Sequence, residues 1–491
     1  MKRLLCIWLW TALLPLQPLF AQSLVAGGVR FSSDFDSGCL GTVTLLDSVW
    51  VQTTPSDSVL HLSFHYLSRP DPFNPANPEL EPSARWFSFR MEGVQGKQIY
   101  LDFAQTDPKR AVYSYDGATY TRFESSQAQM SKVSARFTRD TVYVAYCFPY
   151  NWAYLQQRIK TWSASPCVRV DTLGTSYEGL PIQMLTVTRG AQQAEANGAE
   201  ASRAEAGKTH IWIHARIHPS ESPGSWQLDG LMDALLAANP VAEAYRNQSV
   251  FYVVPFINPD GVYGGYSRSN ALGINQEINW NHPDSLTSVE VAAVRAKMAE
   301  LSFDLVLNIH SQSSDGVSYY IHTAESTTPD YFDREMRFMY LTCADNPYVF
   351  PEGTVYSAPA PRYVEGWLWN RAPGKAIALT LETPYSFYQN NDGPLEWVTP
   401  ETLRESGTYV LRAISDYYQW DVPGRMVLTG RMKGSDTLFK RKHLPAGTYS
   451  LYTWDNAWIP AGTHTQKREG TFRFTSPVAN THPLLLVQDN R

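Results

Sequence analysis

Cysteine and charge are both scarce in this sequence of 491 residues. It holds 5 cysteines, 18% of its residues are charged, and the net charge is −6. A weakly acidic chain of this kind gives no support for a nucleic-acid partner or for binding to an anionic membrane surface. The cysteines that follow the first 21 residues are Cys39, Cys147, Cys167 and Cys343. Their wide spacing excludes a zinc finger and leaves disulfide pairing open.

Long apolar runs are also missing, except at the N-terminus. The segment MKRLLCIWLWTALLPLQPLFAQ has two basic residues, an apolar stretch with Pro15 and Pro18, and then the small Ala21. This pattern predicts a signal peptide over residues 1–21, cut after Ala21, since the stretch is too short for a membrane anchor. We therefore expect a secreted or periplasmic protein without a membrane span after cleavage. The sequence does not indicate an oligomeric state.

Sequence patterns typical of β-strands are abundant in the first third of the chain. Residues 22–150 contain segments such as VLHLSFHYL and RWFSFRM, in which apolar side chains alternate with polar ones. Alternation with a period of two, separated by Gly, Pro and Asp, predicts an antiparallel β-sandwich. The boundary is expected near residue 150, where FPYNWAYLQQRIK indicates a turn into a helix.

The remainder divides into a long mixed region and a short β region. Over residues 151–420, strand patterns such as THIWIHARI and FDLVLNI alternate with helical ones, which predicts an α/β domain with a mixed or mainly parallel sheet. Residues 421–491 return to short strand patterns, RMVLTGRM, AGTYSLYTW, EGTFRFTS and HPLLLVQ, and predict a small C-terminal β domain.

A metal site is indicated where one strand pattern ends. The segment HARIHPSESPGSW follows a β-like run that we expect to stop at Pro219, and it presents His218 and Glu221 on a turn. Catalytic zinc needs three protein ligands and one open position, so a third ligand must come from elsewhere. His310 ends the strand pattern FDLVLNI, and Glu382 lies near the end of another, KAIALTLET. A carboxylate beside a metal-activated water can act as general base.

Other histidines compete for these roles. His210 and His214 lie on one face of the predicted strand and are interpreted as packing or supporting groups. His282 and His322 are alternatives to His310, ranked lower because neither directly ends a clean buried strand pattern.

Taken together, these motifs resemble the M14 zinc metallocarboxypeptidases, and within them the cytosolic carboxypeptidase-like branch. ARIHPSESPGSWQLDGLMD is similar to that branch's Arg, His-Pro-Gly-Glu and Ser-Trp motif, with Ser220 in place of Gly, and FINPDGVYGGYSR is similar to its Asn-Pro-Asp-Gly-Val segment. The segments DSGCLG, RWFSFRM and FPYNWAYLQ resemble its N-terminal β module. The likeness covers most of residues 30–420. It implies a mixed-sheet, phosphorylase/hydrolase-like catalytic domain that uses Zn²⁺.

The resemblance also implies roles for single residues. His218, Glu221 and His310 would bind Zn²⁺, and Glu382 would be the general base. Arg268 would polarise the scissile carbonyl and stabilise the oxyanion. The family's mobile substrate-binding tyrosine corresponds to Tyr356, with Tyr363 as the alternative.

One segment departs from the family pattern. Where the family has Asp-Leu-Asn-Arg-x-Trp after a Gly, this chain reads GINQEINW, so Glu277 and Ile278 replace the Asn-Arg pair that grips the substrate's terminal carboxylate. Arg362 or Arg371 could supply the missing guanidinium. Alternatively, the substrate presents an amine near the cleaved bond, or the pocket is open to internal or amide bonds. In a fourth interpretation Glu277 points away and the loop is simply repacked.

The leading hypothesis is therefore a secreted zinc peptidase with a peptide substrate and altered C-terminal carboxylate recognition. A peptidase or amidase acting on cell-wall peptides is one alternative, and a non-catalytic protein that binds peptide or glycan is another. A structural cell-surface protein without a metal site is the least favoured interpretation.

Overall fold

The computed structural model describes most of the chain from residue 23 onward. The described ranges are 23–103, 109–129, 131–192, 207–312, 316–343, 346–349, 354–389, 395–423, 425–431, 438–444, 446–454, 458–475 and 483–489. The segment predicted as a signal peptide, residues 1–21, lies outside them. In the described part, no helix combines the length and the apolar character needed to cross a bilayer.

Eleven short strands in the described part of the N-terminal region form two sheets that share one core. The strands are β1 Ser23–Ala26, β2 Val29–Ser32, β3 Thr42–Thr54, β4 Asp57–Leu67, β5 Ser88–Glu92, β6 Gln98–Asp102, β7 Val112–Ser114, β8 Thr121–Arg122, β9 Ala128–Gln129, β10 Lys132–Arg136 and β11 Thr141–Ala145. Their orders are β1-β2-β5-β11-β7-β8 and β3-β4-β6-β10-β9. Phe31 of one sheet meets Phe64 of the other edge to face, with ring centroids 5.1 Å apart. The alternating apolar side chains of β4 are buried, which explains the period of two in the sequence.

An eight-stranded mixed sheet with helices on both faces follows. Its strands, and a separate two-stranded ribbon, are β12 Val168–Thr175, β13 Pro181–Val187, β14 Thr209–Ala215, β15 Ser249–Val254, β16 Leu305–Gln312, β17 Ser318–His322, β18 Val355–Ser357, β19 Ile377–Pro384, β20 Phe387–Tyr388 and β21 Glu396–Trp397. The helices are α1 Trp152–Trp162, α2 Ser222–Leu236, α3 Pro240–Gln248, α4 Pro259–Gly264, α5 Val289–Glu300, α6 Pro329–Cys343, α7 Val364–Arg371 and α8 Pro400–Tyr418. The predicted α/β class is thereby confirmed.

The order of the large sheet decides where polar groups meet. It runs β12-β13-β15-β14-β16-β19-β17-β18, and β15, β14, β16 and β19 are parallel to one another. Their apolar side chains are buried in two cores, one on each face of the sheet. Parallel strands bring their carboxyl ends to one edge, which is where α/β sheets hold their ligands. The segments after β14 and β15 and the ends of β16 and β19 therefore converge.

The C-terminal region forms further antiparallel strands. They are β22 Arg425–Arg431, β23 Leu438–Leu444, β24 Gly447–Trp454, β25 Trp458–Gln466, β26 Gly470–Thr475 and β27 Pro483–Asp489. They pair as β22-β27-β24-β25 and β23-β26. The sequence patterns indicated four of these six strands. The exact domain boundaries at residues 150 and 420 stay predictions.

The N-terminal sheets and the α/β region are joined by backbone contacts around the C-terminal end of α4. The Ser37 amide donates to the Tyr263 carbonyl over 2.9 Å, and the Arg69 guanidinium donates to the Gly264 carbonyl over 2.5 Å. Gly265 has a left-handed backbone, φ +67°, and a Cβ there would lie 2.5 Å from the Gly38 carbonyl oxygen. Only glycine fits this approach without strain.

The four cysteines of the described part, Cys39, Cys147, Cys167 and Cys343, are free thiols. The fold in this region therefore depends on packing and hydrogen bonds rather than on disulfides.

Candidate active site

The turn that carries His218 is shaped by a buried arginine. Strand β14 ends at Ala215, four residues earlier than the expected stop at Pro219, because Arg216 adopts a left-handed backbone with φ +56°. That conformation is uncommon for a residue with a side chain and cannot continue a strand. The guanidinium of Arg216 donates to the carbonyls of Pro219 and Tyr150, both at 2.8 Å. These bonds hold the turn. The expectation that the strand stops at Pro219 is therefore wrong, because Arg216 ends it.

Helix α2 starts immediately after the turn and sets the position of Glu221. Glu221 is the N-cap residue of α2, but its side chain does not cap the helix. At the first turn, a Cβ on Gly224 would lie 2.8 Å from Ile309 Cγ2, so the helix packs tightly on β16. The Gly224 amide donates to Ser311 Oγ over 3.0 Å. The glycine thus brings Glu221 next to the end of β16.

Two imidazoles and one carboxylate meet at this point. His218 Nδ1 lies 2.8 Å from Glu221 Oε1, and His310 Nδ1 lies 2.8 Å from Glu221 Oε2. All three side chains are buried. Burial alone would raise the pKa of Glu221, but the two imidazoles outweigh it and hold that pKa well below its usual value. An ionised carboxylate between two nitrogen donors is the donor set of a catalytic zinc site.

The outer nitrogens of both rings are also occupied. His218 Nε2 lies 3.2 Å from Asn275 Oδ1, an oxygen that also accepts from the Glu277 amide, and His310 Nε2 lies 3.1 Å from Glu277 Oε2. Each imidazole thus has a Glu221 oxygen at Nδ1 and a further acceptor at Nε2. Potential ligand atoms of His218, Glu277 and His310 also lie within 4.8 Å of one another. Two carboxylates are therefore candidates for the third ligand, Glu221 on the Nδ1 side of the rings and Glu277 on the Nε2 side of His310.

Glu382 lies directly beside His310 in the sheet. The two residues are paired in the parallel register of β16 and β19, and both line a cavity of about 390 Å³. Glu382 Oε2 is buried without a hydrogen-bond partner among the described residues. Burial raises the pKa of Glu382 to about 8; Glu221 and Glu277 add to the rise, whereas His310 and Arg268 oppose it. A carboxylate with a free oxygen and a raised proton affinity is suited to accepting a proton.

Arg268 reaches the same cavity from the loop after α4. Its side chain is exposed, but its backbone is fixed by the N-terminal region. The carboxylate of Asp71 accepts hydrogen bonds from the backbone amides of Ser267, Arg268 and Ser269, over 2.6, 2.7 and 2.9 Å. Three bonds to one carboxylate make a rigid anchor for the arginine.

The cavity wall next to His310 is acidic. Glu277 is buried, lines the cavity and lies 3.4 Å from Asn308 Nδ2, so it does not point away from the site. The same Asn308 nitrogen donates to Glu365 Oε1 over 3.1 Å, and Thr380 Oγ1 donates to that oxygen over 2.6 Å. Burial raises the pKa of Glu365, and the nearby Glu277 raises it further. We call Glu277 and Glu365 the acidic pair.

The structure does not bring every candidate to the cavity. Tyr356 on β18 is 53% exposed and is not among the described residues that line it, whereas the alternative Tyr363 is. Arg362 and Arg371 are also absent from the described lining; their guanidinium groups lie over the rings of Tyr363 and Trp367. Neither guanidinium therefore belongs to the described lining of the cavity.

The competing histidines have separate partners. His214 is fully buried and accepts the Trp212 indole N–H over 2.9 Å, and burial lowers its pKa to about 3. His210 Nδ1 lies 3.2 Å from the Tyr252 hydroxyl. His322 lines the cavity, but its Nδ1 lies 2.9 Å from Glu335 Oε1 rather than near the metal ligands. These contacts agree with packing or supporting roles.

Several site residues were missed in the sequence. Asp71 and Arg85 come from the connection between β4 and β5 in the N-terminal region, and Asn308 and Glu365 come from β16 and α7. Asn308 could have been found, because it lies two positions before His310 and so on the same face of the strand. Asp71 and Arg85 carry no local signal, since their roles arise only from the contact between two regions of the chain.

Residues 154–391 match the family Peptidase_M14, which is described as zinc carboxypeptidase. This chain carries an M14 zinc carboxypeptidase domain. It is accordingly a zinc carboxypeptidase-like hydrolase, and the His-Glu-His cluster agrees with the Zn²⁺ that this family uses.

Relatives of the M14 domain place it in the cytosolic carboxypeptidase-like branch. Cytosolic carboxypeptidase 6 of Mus musculus is 24% identical over 432 residues, which cover 80% of this chain and 74% of that protein. Cytosolic carboxypeptidase-like protein 5 of Ailuropoda melanoleuca is 26% identical over 351 residues, 60% of this chain but only 39% of that protein. Among solved structures, a metallo-carboxypeptidase from Burkholderia cenocepacia aligns with a TM-score of 0.62 at 24% identity, covering 79% of this chain and 99% of that one. The last likeness shows the shared fold.

The relatives also correct one prediction. The expected secreted or periplasmic location is wrong, because the matching relatives are cytosolic carboxypeptidases. The prediction depended on the first 21 residues alone, where basic and apolar composition was the only signal. The relatives match 80% of the chain.

Proposed function

We propose that this protein is a zinc peptidase of the M14 type whose acidic pair replaces the usual recognition of a terminal carboxylate by recognition of a cationic group. The observation that carries the proposal is the position of Glu277. It is buried in the cavity wall, 3.1 Å from His310 Nε2, where the family pattern has a neutral Asn followed by Arg.

His218, Glu221 and His310 would hold Zn²⁺. When bound, the metal supplies Lewis-acid polarisation of a carbonyl and lowers the pKa of water. Glu382 would accept the proton of the attacking water and pass it to the leaving amine, for which an oxygen without a hydrogen-bond partner among the described residues is suited. Arg268 would donate to the oxygen of the scissile carbonyl as negative charge develops there. Tyr363, rather than Tyr356, is the better placed of the two tyrosines to cover the substrate.

The acidic pair would then select the group that follows the cleaved bond. A carboxylate entering this end of the cavity would meet Glu277 and Glu365, and like charges at short range in a water-poor site repel strongly. Asn308 could not offset this, because its Nδ2 already donates to Glu365 and lies beside Glu277. An amine or guanidinium would instead find two carboxylates, so a diamino acid or a basic residue is the favoured group.

The test uses zinc-loaded protein and peptides that differ only after the cleaved bond. In two peptides that residue is neutral, and its C-terminus is either a free carboxylate or an amide. In the other two it is a basic residue or a diamino acid from a cell-wall peptide. Products are identified by mass spectrometry. We expect the basic and diamino substrates to have the highest kcat/KM, and Glu277→Gln to remove that preference. Fastest cleavage of the neutral free acid, unchanged in Glu277→Gln, would contradict the proposal.

A non-catalytic binding protein is the second candidate. It predicts that zinc-loaded protein binds peptides without product formation, and that a chelator changes nothing. Any turnover that is lost with a chelator and restored by Zn²⁺ would exclude it.

A further inference from the structure

We propose that Arg85, which the N-terminal region contributes to the cavity, binds an acidic group of the substrate on the N-terminal side of the cleaved bond. The inference rests on the proposed function, since it takes the same cavity as the substrate site. It adds a second recognition point, from a different part of the chain and of opposite charge.

The backbone of Arg85 is held in place by the loop that also carries Arg268. Ser267 Oγ accepts the amides of both Arg85 and Trp86, each over 2.9 Å. Arg85 is thus tied to the residue directly before Arg268, and both side chains line the cavity. The cavity lining thus includes two guanidinium groups, those of Arg85 and Arg268.

The guanidinium of Arg85 is available for a ligand. It is exposed, and its central carbon lies 5.7 Å from the centre of the Tyr385 ring. Among the described residues it forms no ion pair with a carboxylate, and interactions with Tyr385 and, less, with Glu221 raise its pKa. An arginine resting on an aromatic face, accessible and without an ion-pair partner, is well suited to bidentate binding of a carboxylate.

Arg85 and the acidic pair line the same cavity but come from different parts of the chain. Among the ligands, Arg85 is influenced by Glu221, which contacts the Nδ1 atoms of both histidines. Glu277 contacts Nε2, the opposite edge of the His310 ring. If the group after the cleaved bond lies against the acidic pair, the residue before that bond must extend toward Arg85. The cavity therefore favours an acidic residue followed by a basic or amine-bearing one.

The test compares two peptides that differ only before the cleaved bond, one with Glu and one with Gln. In Arg85→Gln, we expect KM for the Glu peptide to rise about tenfold or more with kcat little changed, and KM for the Gln peptide to stay within about twofold. Arg85→Lys should recover part of the loss, because charge remains and the bidentate geometry does not. Arg30→Gln is the matched control, since Arg30 is an exposed arginine of the same region that pairs with Glu92 at 3.7 Å.

Two measurements keep the result independent of catalysis and of misfolding. Calorimetric binding of both peptides to zinc-loaded Glu382→Gln, with and without Arg85→Gln, should show the same selective loss. In the unmodified protein, raising the salt concentration should weaken binding of the Glu peptide more than that of the Gln peptide.

Equal losses for both peptides, or no loss for either, would overturn the role of Arg85. The proposed function is judged separately, because its test varies Glu277 and the residue after the cleaved bond. If the enzyme shows no preference for a basic residue after the cleaved bond, Arg85 can still discriminate Glu from Gln before that bond. If Arg85 does not discriminate, the preference after the bond can still be present.

Discussion

A carboxylate buried with an unpartnered oxygen is costly for a fold, and Glu382 is such a group. Glu382 lines the cavity next to His310, and no described residue bonds its Oε2. A protein keeps an unsatisfied group of this kind when substrate or water completes its bonding. At the scale of single residues, the role of Glu382 can therefore be tested by one substitution.

Replacing Glu382 with Gln should lower kcat by about 10²–10⁴-fold, because the amide cannot accept the proton of water. Zinc content and thermal stability should be maintained, since the amide is similar in size and carries no charge to bury. Steady-state kinetics, metal analysis and thermal unfolding check this. Glu401→Gln, at the first turn of α8 and exposed, is the control and should retain full activity. Full activity of Glu382→Gln would refute its role as base.

His214 should make stability depend on pH. Its pKa is lowered from 6.5 to about 3 by burial, so between these values the unfolded chain takes up a proton that the folded protein does not. Stability from this group is complete above pH 6.5 and is lost as the pH falls, by up to about 1.4 kcal/mol per pH unit. Compared with His214→Gln, the natural protein should lose more stability between pH 6.5 and 4 in urea unfolding. Parallel pH profiles of the two proteins would disprove the prediction.

At the scale of elements, the loop after α4 is the part of the site with the least regular structure. The carboxylate of Asp71 fixes this loop by accepting hydrogen bonds from three successive backbone amides. Arg268, which lines the cavity, is thereby positioned by a residue almost 200 positions earlier in the chain.

Asp71→Asn should loosen this loop. The amide removes one acceptor oxygen and places N–H donors against the loop's own amides, which we expect to cost about 1–3 kcal/mol of stability. The value of kcat/KM should fall as well, because Arg268 loses its fixed position. Asp57→Asn, at the exposed tip of the β3–β4 hairpin, is the control and should be neutral. Unchanged kcat/KM in Asp71→Asn would show that Arg268 does not need this anchor.

Regular elements also explain which parts of the site the sequence could predict. His218, Glu221, His310 and Glu382 stand at or just after strand patterns, and the parallel sheet brings such positions together. The turn before His218 was misplaced, because a left-handed Arg216 leaves no mark in a hydrophobic pattern. Tyr356 was preferred to Tyr363 for a similar reason, since spacing along a loop does not show which side chain faces a cavity.

At the scale of the whole molecule, the N-terminal region is part of the active-site architecture. It supplies Asp71 under the Arg268 loop and Arg85 in the cavity, and its backbone touches that of the α/β region at Gly38 and Gly265. The sequence predicted the sandwich from its alternation but gave no sign of this contact, because contacts between distant regions depend on shape rather than on local pattern.

Gly265→Ala should test how tightly the two regions meet. Its Cβ would lie 2.5 Å from a backbone oxygen that cannot move freely, in addition to the strain of φ +67°. Gly28→Ala is a matched control, because its φ is +72° but nothing lies within 4 Å of the added carbon. Gly265→Ala should cost about 1–3 kcal/mol more than Gly28→Ala in denaturant unfolding, and should also lower kcat/KM. Equal losses in the two variants would mean that the interface yields easily.

The anchoring of Arg268 by Asp71 also has a consequence for biosynthesis. Asp71 emerges from the ribosome early, whereas Glu382 follows roughly three hundred residues later, which takes tens of seconds at about 5–20 residues per second. During that interval a folded N-terminal sandwich would present Asp71 with no loop amides to bind. The nascent chain could hold a metal through His218 and His310 before Glu382 is made, but it could not yet hydrolyse a peptide. Hydrolytic competence that depends on Glu382 would therefore arise only late in translation.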